Sequence, residues 1–299
     1  MSPQDPIHSL LQRTSRSFAL SIPTAPAPID HEMSVGYLLF RIADTFEDTT
    51  EVPVPERVAG LGAFARAVMA PQDAGARAEL RRHAEALPLE HEGYHDLMRA
   101  TDLVLDALQG LRPGAADIIA QHACRTALGC IPWIEQTNAA GVMRLHSMSD
   151  LRAYCYTVAG IPGEMLCSLF LLGRPELGSV ECELRQRARV FGEAMQLVNI
   201  LKDSELDASE ERVFIPAGVT VKEALALARH DLAVAQEYVA LLRQPGVDPG
   251  VVAFHAITCD LARVALDVTE AQGPGAKVPR KTVAKVLESA GVAHQHVLS

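Results

Sequence analysis

The chain has 299 residues, a formal net charge of −10 and 48% apolar residues, with 20 glycines and 18 prolines. The apolar content excludes a disordered protein, and the Gly and Pro counts exclude a collagen-like one. An acidic chain is poorly suited to bind nucleic acid or anionic lipid unaided, so we expect no nucleic-acid partner. If the substrates are anionic, bound divalent cations are the obvious way to offset the repulsion.

Helical periodicity dominates the chain from end to end, and no convincing stretch alternates apolar and polar residues. Breakers rich in Pro and Gly separate the periodic segments. The predicted helices cover 31–48, 54–70, 91–109, 114–138, 148–172, 179–206, 219–243 and 248–272. No segment has the composition of an interdomain linker, and no repeat recurs at a fixed period. The sequence therefore predicts a single all-α domain over residues 1–299.

The first predicted helix carries a polar stripe of Tyr37, Arg41, Asp44 and Asp48, which share one face at helical spacing. A polar stripe on a buried helix is costly unless something pairs with it. Two carboxylates four residues apart repel each other, but they can share a hard divalent cation. The stripe is flanked by apolar residues that we expect to be buried: Leu38, Leu39, Ile42, Ala43 and Phe46.

A second stripe lies in the predicted helix 179–206 and just beyond it. Asn199, Asp203 and Asp207 recur every four residues, and Gln196 lies one turn earlier. The intervening residues are again typical of a core: Leu197, Val198, Ile200 and Leu201. Two such helices facing each other across a cavity would form an oxygen-rich cage suited to Mg²⁺ and a diphosphate.

A less specific interpretation competes with the metal site. Asp44 and Asp48 could simply pair with Arg41 and other cations, because this spacing is common on solvated helix faces. For a single pair of aspartates that interpretation is better. Two pairs, each embedded in apolar sequence, favour metal binding.

The segment His91-Glu-Gly-Tyr-His95 fits the HExxH pattern of zinc peptidases. That chemistry needs both histidines on one face of a stable helix and a third ligand downstream. Gly93 weakens the helix between them, and Pro88 lies just before it. We therefore expect His91 and His95 to be surface residues at the start of a helix.

Four blocks, in order, resemble the squalene/phytoene synthases, which join two prenyl diphosphates head to head. Asp44-Thr-Phe-Glu-Asp48 is closest to the squalene synthase form of the first aspartate-rich motif. No single block is specific, but together they are. The blocks are Thr14-Ser-Arg-Ser-Phe18, Arg41 to Asp48, Tyr154-Cys-Tyr-Thr-Val-Ala-Gly160 with Gly163-Glu164, and Gln196 to Asp207 followed by Arg212-Val-Phe-Ile-Pro216.

The resemblance implies an isoprenoid synthase fold, with helices around a central cavity, and assigns roles to the matching residues. It implies that Mg²⁺, with Mn²⁺ as an alternative, is held by Asp44, Asp48, Asn199, Asp203 and Asp207. It implies substrate contacts for Ser15, Arg16, Ser17, Phe18, Gln196, Arg41, Lys202 and Arg212, where Lys202 replaces the usual arginine.

Tyr154 would stand near the proton that is lost as the cyclopropyl intermediate forms. The departing diphosphate is then the acceptor, reached through Tyr154 or Tyr37, since an unperturbed tyrosine is a poor base. Tyr154 could also be an ordinary core tyrosine. Gly160 and Gly163 would serve close backbone approach.

The C-terminal region resembles squalene synthases less closely. By resemblance, Phe254 lines the pocket of the reducing step, and Arg280 and Lys281 contact NADPH. Thr258-Cys259 and Pro279 depart from the family pattern there. Phe254 could instead be a core residue, and Arg280-Lys281 the solvated start of a last helix.

Three functions follow as hypotheses. The first is squalene synthesis from two farnesyl diphosphates through presqualene diphosphate, with reduction by NADPH. The second is a dehydrosqualene or phytoene synthase that stops without reduction. The third is an inactive family member that acts in binding or assembly, against which the intact aspartates argue.

The six cysteines lack a CxxC pair or a tight framework spacing, so we expect reduced and mostly buried thiols. The longest nearly apolar stretch, Met165 to Leu172, is too short to span a bilayer. We therefore expect a cytoplasmic protein with peripheral membrane contact for release of a hydrocarbon product. Chain-length selectivity and oligomeric state stay open.

Overall fold

The computed structural model describes residues 5–15, 18–137, 142–209, 212–244 and 246–292. Within these ranges helices predominate, which confirms the all-α class. The helices are α1 (Pro6–Thr14), α2 (Phe18–Ser21), α3 (Ile29–Asp48), α4 (Val54–Met69), α5 (Ala74–Glu85), α6 (Glu92–Arg99), α7 (Thr101–Gln109), α8 (Ala115–Glu135), α9 (Met148–Cys155), α10 (Ile161–Leu171), α11 (Glu181–Ser209), α12 (Val221–Leu241), α13 (Pro249–Gln272) and α14 (Arg280–Ser289).

The first of two compact units comprises Met1–Pro23, Ala27–Gln136 and Ser168–Gly173, and α3 is its central helix. α3 packs against α1, α4, α6, α7 and α8. Acidic residues in its first turn, Asp30 and Glu32, suit the positive end of the helix dipole. α3 is anchored because most of its circumference is apolar and buried.

The second unit comprises Thr24–Pro26, Thr137–Cys167 and Arg174–Ser299, and α11 is its central helix. α11 packs against α9, α12 and α13, and α14 packs against α13. A capping box of Thr220 and Glu223 starts α12. Two short parallel strands, β1 (Met143–Arg144) and β2 (Arg212–Val213), hold the segment that follows α11.

α9 and α10 form one continuous helix, joined by a π-helical turn at Tyr156–Gly160. By length and composition, Met148–Leu171 is the one helix in the described ranges that could cross a membrane, and 56% of its most apolar window is buried inside the protein. The apolar stretch that the sequence predicts, 165–172, is shorter than this helix because Asp150, Arg152 and Glu164 interrupt the apolar run. Burial of this extent is typical of a core helix.

Glycines allow the α9–α10 helix to approach α11 closely. A Cβ atom at Gly192 would lie 2.0 Å from the carbonyl oxygen of Ala159 and 3.1 Å from the Cα atom of Gly160. A Cβ atom at Gly163 would lie 2.3 Å from the carbonyl oxygen of Ala188. The predicted role of Gly160 and Gly163 in close backbone approach is confirmed.

The elements differ from the predicted ones in a few places. The predicted helix 91–109 is broken at Ala100 into α6 and α7, although neither Gly nor Pro stands there. α5 was not predicted because it buries only Leu80 and Ala84, which is too few residues for a clear apolar period. α1, α2 and the two-residue strands were also not predicted, whereas α14 begins at Arg280, where the sequence offered the start of a last helix as an alternative.

The Gly192 contact gives a stability prediction. Gly192→Ala should lower the free energy of unfolding by about 1–3 kcal/mol, because the new methyl group would overlap the Ala159 carbonyl. Urea unfolding followed by circular dichroism measures the change. Gly218→Ala is the control, because a Cβ atom there meets nothing within 4 Å. Equal stability of the two variants would contradict the close approach.

Candidate active site

The polar stripe of α3 lies as the sequence predicts, in the first unit. Leu38, Leu39, Ile42, Ala43 and Phe46 are at most 1% exposed, which confirms their predicted burial. Asp44 is half-buried and Asp48 is exposed. One side of α3 therefore presents carboxylates, while the remaining sides are packed.

Arg41 and Asp44 form an ion pair, with 3.6 Å between Nη1 and Oδ2. Although 27% of the Asp44 side chain is exposed, burial raises the pKa of its carboxyl group to about 6, against the opposing effect of Arg41 and with a further contribution from Asp48. Burial disfavours the charged form of Arg41, but Asp44, Tyr37 and Tyr94 together outweigh this effect and raise the pKa of the guanidinium. Asp44 thus lies where a nearby cation is strongly stabilising.

Aromatic rings surround the Arg41 guanidinium. Its central carbon lies 5.6 Å from the ring centroid of Tyr37 and 5.4 Å from that of Tyr94. The Tyr37 hydroxyl donates a hydrogen bond of 2.8 Å to the carbonyl oxygen of Thr14, and the Phe18 ring lies 5.4 Å from the Tyr37 ring. Tyr94 was not predicted as a site residue, because it fills only an unspecified position of the HExxH pattern and α6 reaches Arg41 through packing alone.

Two residues that were not predicted from the sequence contact the C-terminal end of α3. The guanidinium of Arg57, buried on α4, donates to the carbonyl oxygens of Phe46 (3.2 Å) and Glu47. The Cys130 thiol on α8 lies 3.9 Å from Glu47 Oε2. Burial, together with the charges of Glu47, Asp44 and Asp48, raises the pKa of Cys130 and keeps it a thiol.

The second stripe lies on α11 in the second unit. Leu197, Val198, Ile200 and Leu201 are 2% exposed, as predicted, while Asn199 is exposed and Gln196 is half-buried. Lys202 Nζ lies 3.1 Å from Asp203 Oδ2 and 3.5 Å from Asn199 Oδ1. The Lys202 ammonium therefore lies among the predicted metal ligands.

Asp207, Arg212, Phe214 and Tyr154 form a connected row in the second unit. Arg212 Nη2 lies 3.5 Å from Asp207 Oδ1, and the guanidinium carbon lies 6.0 Å from the Phe214 ring centroid. The Phe214 ring stacks on Tyr154 at 4.9 Å. Tyr154 is 3% exposed, so it is a buried residue that reaches the aspartate segment through Phe214.

The remaining predicted residues take different positions. Ser15 Oγ accepts a hydrogen bond from the Phe18 amide, whereas Arg16 and Ser17 lie outside the described residues. Phe254 is 1% exposed and meets His255 edge-on at 4.9 Å, within a core cluster. Arg280 and Lys281 are exposed in the first turn of α14.

The HExxH pattern has an ordinary structural role here. His91 is exposed and is the N-cap of α6, where its Nδ1 accepts a hydrogen bond from the Tyr94 amide. This confirms the expected place of His91 at a helix start. His95 is half-buried, so its predicted surface position is only partly met.

All six cysteines are free thiols, and Cys130, Cys155, Cys167 and Cys259 are buried. The prediction of reduced and mostly buried thiols is confirmed. Burial raises the pKa of each of these four thiols, so they stay protonated and behave as small apolar side chains.

The oxygen donors on α3 and α11 fit Mg²⁺. No group of three or more His, Cys, Asp and Glu side chains suited to a metal occurs in the described ranges. Mg²⁺ is commonly bound by one or two carboxylates together with substrate phosphates, so a pair of aspartates is a sufficient protein contribution. The Asp44 carboxylate is desolvated and has Arg41 as an ion-pair partner at 3.6 Å. It can therefore bind a further cation favourably.

The family model for squalene/phytoene synthases matches residues 11–225. This stretch contains both aspartate stripes, Tyr154 and Arg212. The chain belongs to the squalene/phytoene synthase family.

Two relatives show the extent of the similarity. The Botryococcus squalene synthase of Botryococcus braunii is 29% identical over 224 residues, which cover 74% of this chain and 44% of that protein. Squalene synthase 1 of Arabidopsis thaliana is 29% identical over 220 residues, covering 73% of this chain and 48% of the relative. The chain thus spans about half the length of the curated relatives that it matches.

Solved structures share the fold. A complex of TcSQS with a ligand aligns with a TM-score of 0.75 at 21% identity, covering 96% of this chain and 85% of the other. A dehydrosqualene synthase in complex with a ligand aligns with a TM-score of 0.60 at 20% identity, covering 95% of this chain and 94% of the other. The likeness confirms an isoprenoid synthase fold.

The raised pKa of Asp44 predicts how stability depends on pH. Between pH 4 and pH 6 the folded, metal-free protein binds more protons at Asp44 than the unfolded chain does, so stability falls as pH rises through this window. The loss amounts to at most about 3 kcal/mol. Asp44→Asn should remove it.

Urea unfolding in EDTA at pH 4.5, 5.5, 6.5 and 7.5 measures the difference in free energy of unfolding between wild type and Asp44→Asn. Asp117→Asn, a change to an exposed aspartate in the first turn of α8, is the control. A difference between wild type and Asp44→Asn that stays constant with pH would contradict the burial of the Asp44 charge.

Proposed function

We propose that this chain condenses two farnesyl diphosphates head to head through presqualene diphosphate and reduces the product to squalene with NADPH. The observation that carries the proposal is the pair of aspartate stripes, each on the central helix of its unit and each flanked by buried apolar residues. The family match over 11–225 supports the prenyltransferase class. The squalene synthases among the relatives support this reaction over others in the family.

The carboxylates of Asp44, Asp48, Asp203 and Asp207, with the Asn199 amide, would hold Mg²⁺. When bound, the metal supplies Lewis-acid stabilisation of the diphosphate leaving group. Arg41, Lys202 and Arg212 already lie beside these carboxylates and would offer their N–H groups to diphosphate oxygens. With Mg²⁺ bound to the carboxylates and these cations beside them, the negative charge of the aspartates on each helix is offset, so that a diphosphate can bind.

Tyr154 and Tyr37 have different surroundings in this proposal. Tyr37 donates its hydroxyl hydrogen to the Thr14 carbonyl, so it orients this part of α1 rather than holding a free proton. Tyr154 is buried beside Phe214, where water is excluded and a carbocation would survive longer. We assign to Tyr154 the position near the proton that is lost on ring closure.

NADPH binding is proposed for Arg280 and Lys281. Both are exposed at the N-terminal turn of α14, where two cations and the helix dipole suit phosphate groups. The loop before them is tied to α11 by a 2.7 Å hydrogen bond from the Gly275 amide to the Lys202 carbonyl oxygen.

Condensation without reduction is the second candidate. The family match ends at residue 225, so Phe254, Arg280 and Lys281 lie beyond it. Phe254 is also buried in a core cluster with His255. Both observations weaken the residues assigned to the reducing step and leave those assigned to condensation unaffected. They therefore favour a dehydrosqualene or phytoene synthase, which condenses without reduction.

We further propose a cytoplasmic site of action with peripheral membrane contact. The free thiols support a reducing compartment. A C30 hydrocarbon product would partition into a bilayer on release, because each CH₂ that leaves water contributes about 0.8 kcal/mol.

The first functional prediction concerns the product. The purified chain, supplied with farnesyl diphosphate and Mg²⁺, should form squalene with NADPH and presqualene diphosphate or dehydrosqualene without it, as measured by mass spectrometry of the extracts. Dehydrosqualene in equal yield with and without NADPH would exclude the reducing step. Phytoene formed only from geranylgeranyl diphosphate would exclude the farnesyl substrate.

The second functional prediction concerns the aspartates. Asp44→Ala and Asp203→Ala should each lower turnover by roughly 10²–10³-fold, because a residue that serves electrostatic stabilisation of the leaving group is lost. Circular dichroism should show an unchanged helix content. Asp117→Ala, at an exposed position on α8, should keep full turnover. Retained activity in either site variant would refute the metal assignment.

A further inference from the structure

An ion network around two buried carboxylates, which the proposed reaction does not use directly, connects α9 to α11 and α12. Arg152 Nη2 lies 3.2 Å from Glu193 Oε2, and Arg152 Nη1 lies 3.3 Å from Asp231 Oδ2. Arg189 binds the other oxygen of Glu193. The Glu193 and Asp231 side chains are only 2% and 3% exposed. The planar fork of one arginine, Arg152, therefore bridges two buried carboxylates, and only one of them has a second arginine beside it.

The network lies next to the glycine contact between the same helices. Gly192, which touches Ala159, is adjacent to Glu193 on α11, and Arg152 lies one turn before the π-helical segment on α9. Glycines permit the two helices to approach closely. Because they have no side chains to interlock, they do not prevent one helix from sliding along or rotating against the other. The Arg152 fork, which points to two different helices, removes that freedom.

The fixed register matters because Tyr154 lies two residues after Arg152. Tyr154 stacks on Phe214, and Phe214 lies beside Arg212, which pairs with Asp207. A rotation of α9 would move the Tyr154 ring off this row. The π-helical turn at Tyr156–Gly160 alters the phase of the helix, so α9 presents a different face from the one that a regular α-helix continuous with α10 would present.

We propose that Arg152 is a positioning residue that fixes the orientation of α9, and with it Tyr154, for the coupling of the two prenyl chains. This inference rests on the proposed function. Glu193 and Asp231 are its anchors, and Arg189 holds Glu193 in place. Lysine at position 152 keeps the charge but cannot bridge two carboxylates in one plane.

Loss of this orientation has a chemical signature. If the second prenyl chain is misaligned when the first diphosphate leaves, water captures the allylic cation. Farnesyl diphosphate and water then give a C15 alcohol and inorganic diphosphate, and no carbon–carbon bond forms. Both the C15 alcohol and the C30 product are made by the folded enzyme. Their ratio therefore does not change when the amount of folded enzyme falls.

The experiment compares Arg152→Lys with Arg229→Lys in the assay with farnesyl diphosphate, Mg²⁺ and NADPH. Arg229 also bridges two carboxylates, Asp267 and Glu270, and its side chain is 39% exposed against 36% for Arg152. Its bridge joins α12 to α13 and leaves α9 untouched. Mass spectrometry quantifies farnesol, nerolidol and the C30 products, and a colorimetric assay quantifies diphosphate.

Arg152→Lys should lower C30 formation about tenfold or more, as expected for a small misplacement of reacting groups. The C15 share of the products should rise, and KM for farnesyl diphosphate should stay within about threefold. Arg229→Lys should match wild type in all three measures. An unchanged product ratio in Arg152→Lys, with wild type active, overturns the positioning role alone.

An inactive wild type overturns the proposed function and this inference together. If Arg152→Lys fails to fold, Asp231→Asn decides the question, because it weakens one arm of the bridge and preserves the side-chain shape. It should raise the C15 share in the same direction by a smaller factor. A product ratio equal to that of wild type in Asp231→Asn would then overturn the positioning role.

Discussion

Each compact unit keeps carboxylates beside buried apolar residues on its central helix. On α3 and α11, the apolar residues that flank the aspartates are packed inside the unit and cannot face water. A carboxylate beside such a face loses hydration, and burial raises the pKa of Asp44 for this reason. The other residues of each site are explained by this loss of hydration, because a carboxylate that has lost water is stabilised by a cation placed beside it.

The cations that answer this need are drawn from the same helix or from the segment that follows it. Arg41 lies one turn before Asp44, Lys202 adjoins Asp203, and Arg212 follows α11 on β2. These pairs are separated by 3.1–3.6 Å rather than by close bidentate contacts. Side chains held in this way can turn toward a phosphate, because each ion pair alone contributes little.

The second unit handles buried charge differently around α9. Glu193 and Asp231 are buried, and the partly exposed side chains of Arg152 and Arg189 form ion pairs with them. Replacing such a buried charge without its partner is strongly destabilising, so the network fixes one arrangement of α9, α11 and α12. The looser ion pairs beside the aspartates therefore support the proposed substrate contacts, and the network around α9 supports the proposed positioning role.

The sequence by itself determined the helical class, the main helix bounds, the burial of residues between the aspartates and the roles of Gly160 and Gly163. It did so because a 3.6-residue period and a glycine at a close approach are local properties of the chain. It also placed each aspartate stripe on one helix face. It could not locate α5, whose apolar period is too short, or the break at Ala100, which no residue type marks.

Only the tertiary structure decided which residues support the aspartates. The supporting residues come from helices far apart in sequence. They are Tyr94 beside Arg41, Arg57 at the end of α3, Cys130 beside Glu47, and Arg152 between two buried carboxylates. Tyr154 reaches Asp207 through Phe214, which no spacing rule predicts. The physical reason is that spacing along one helix sets which side chains share a face, whereas packing between helices sets what that face meets.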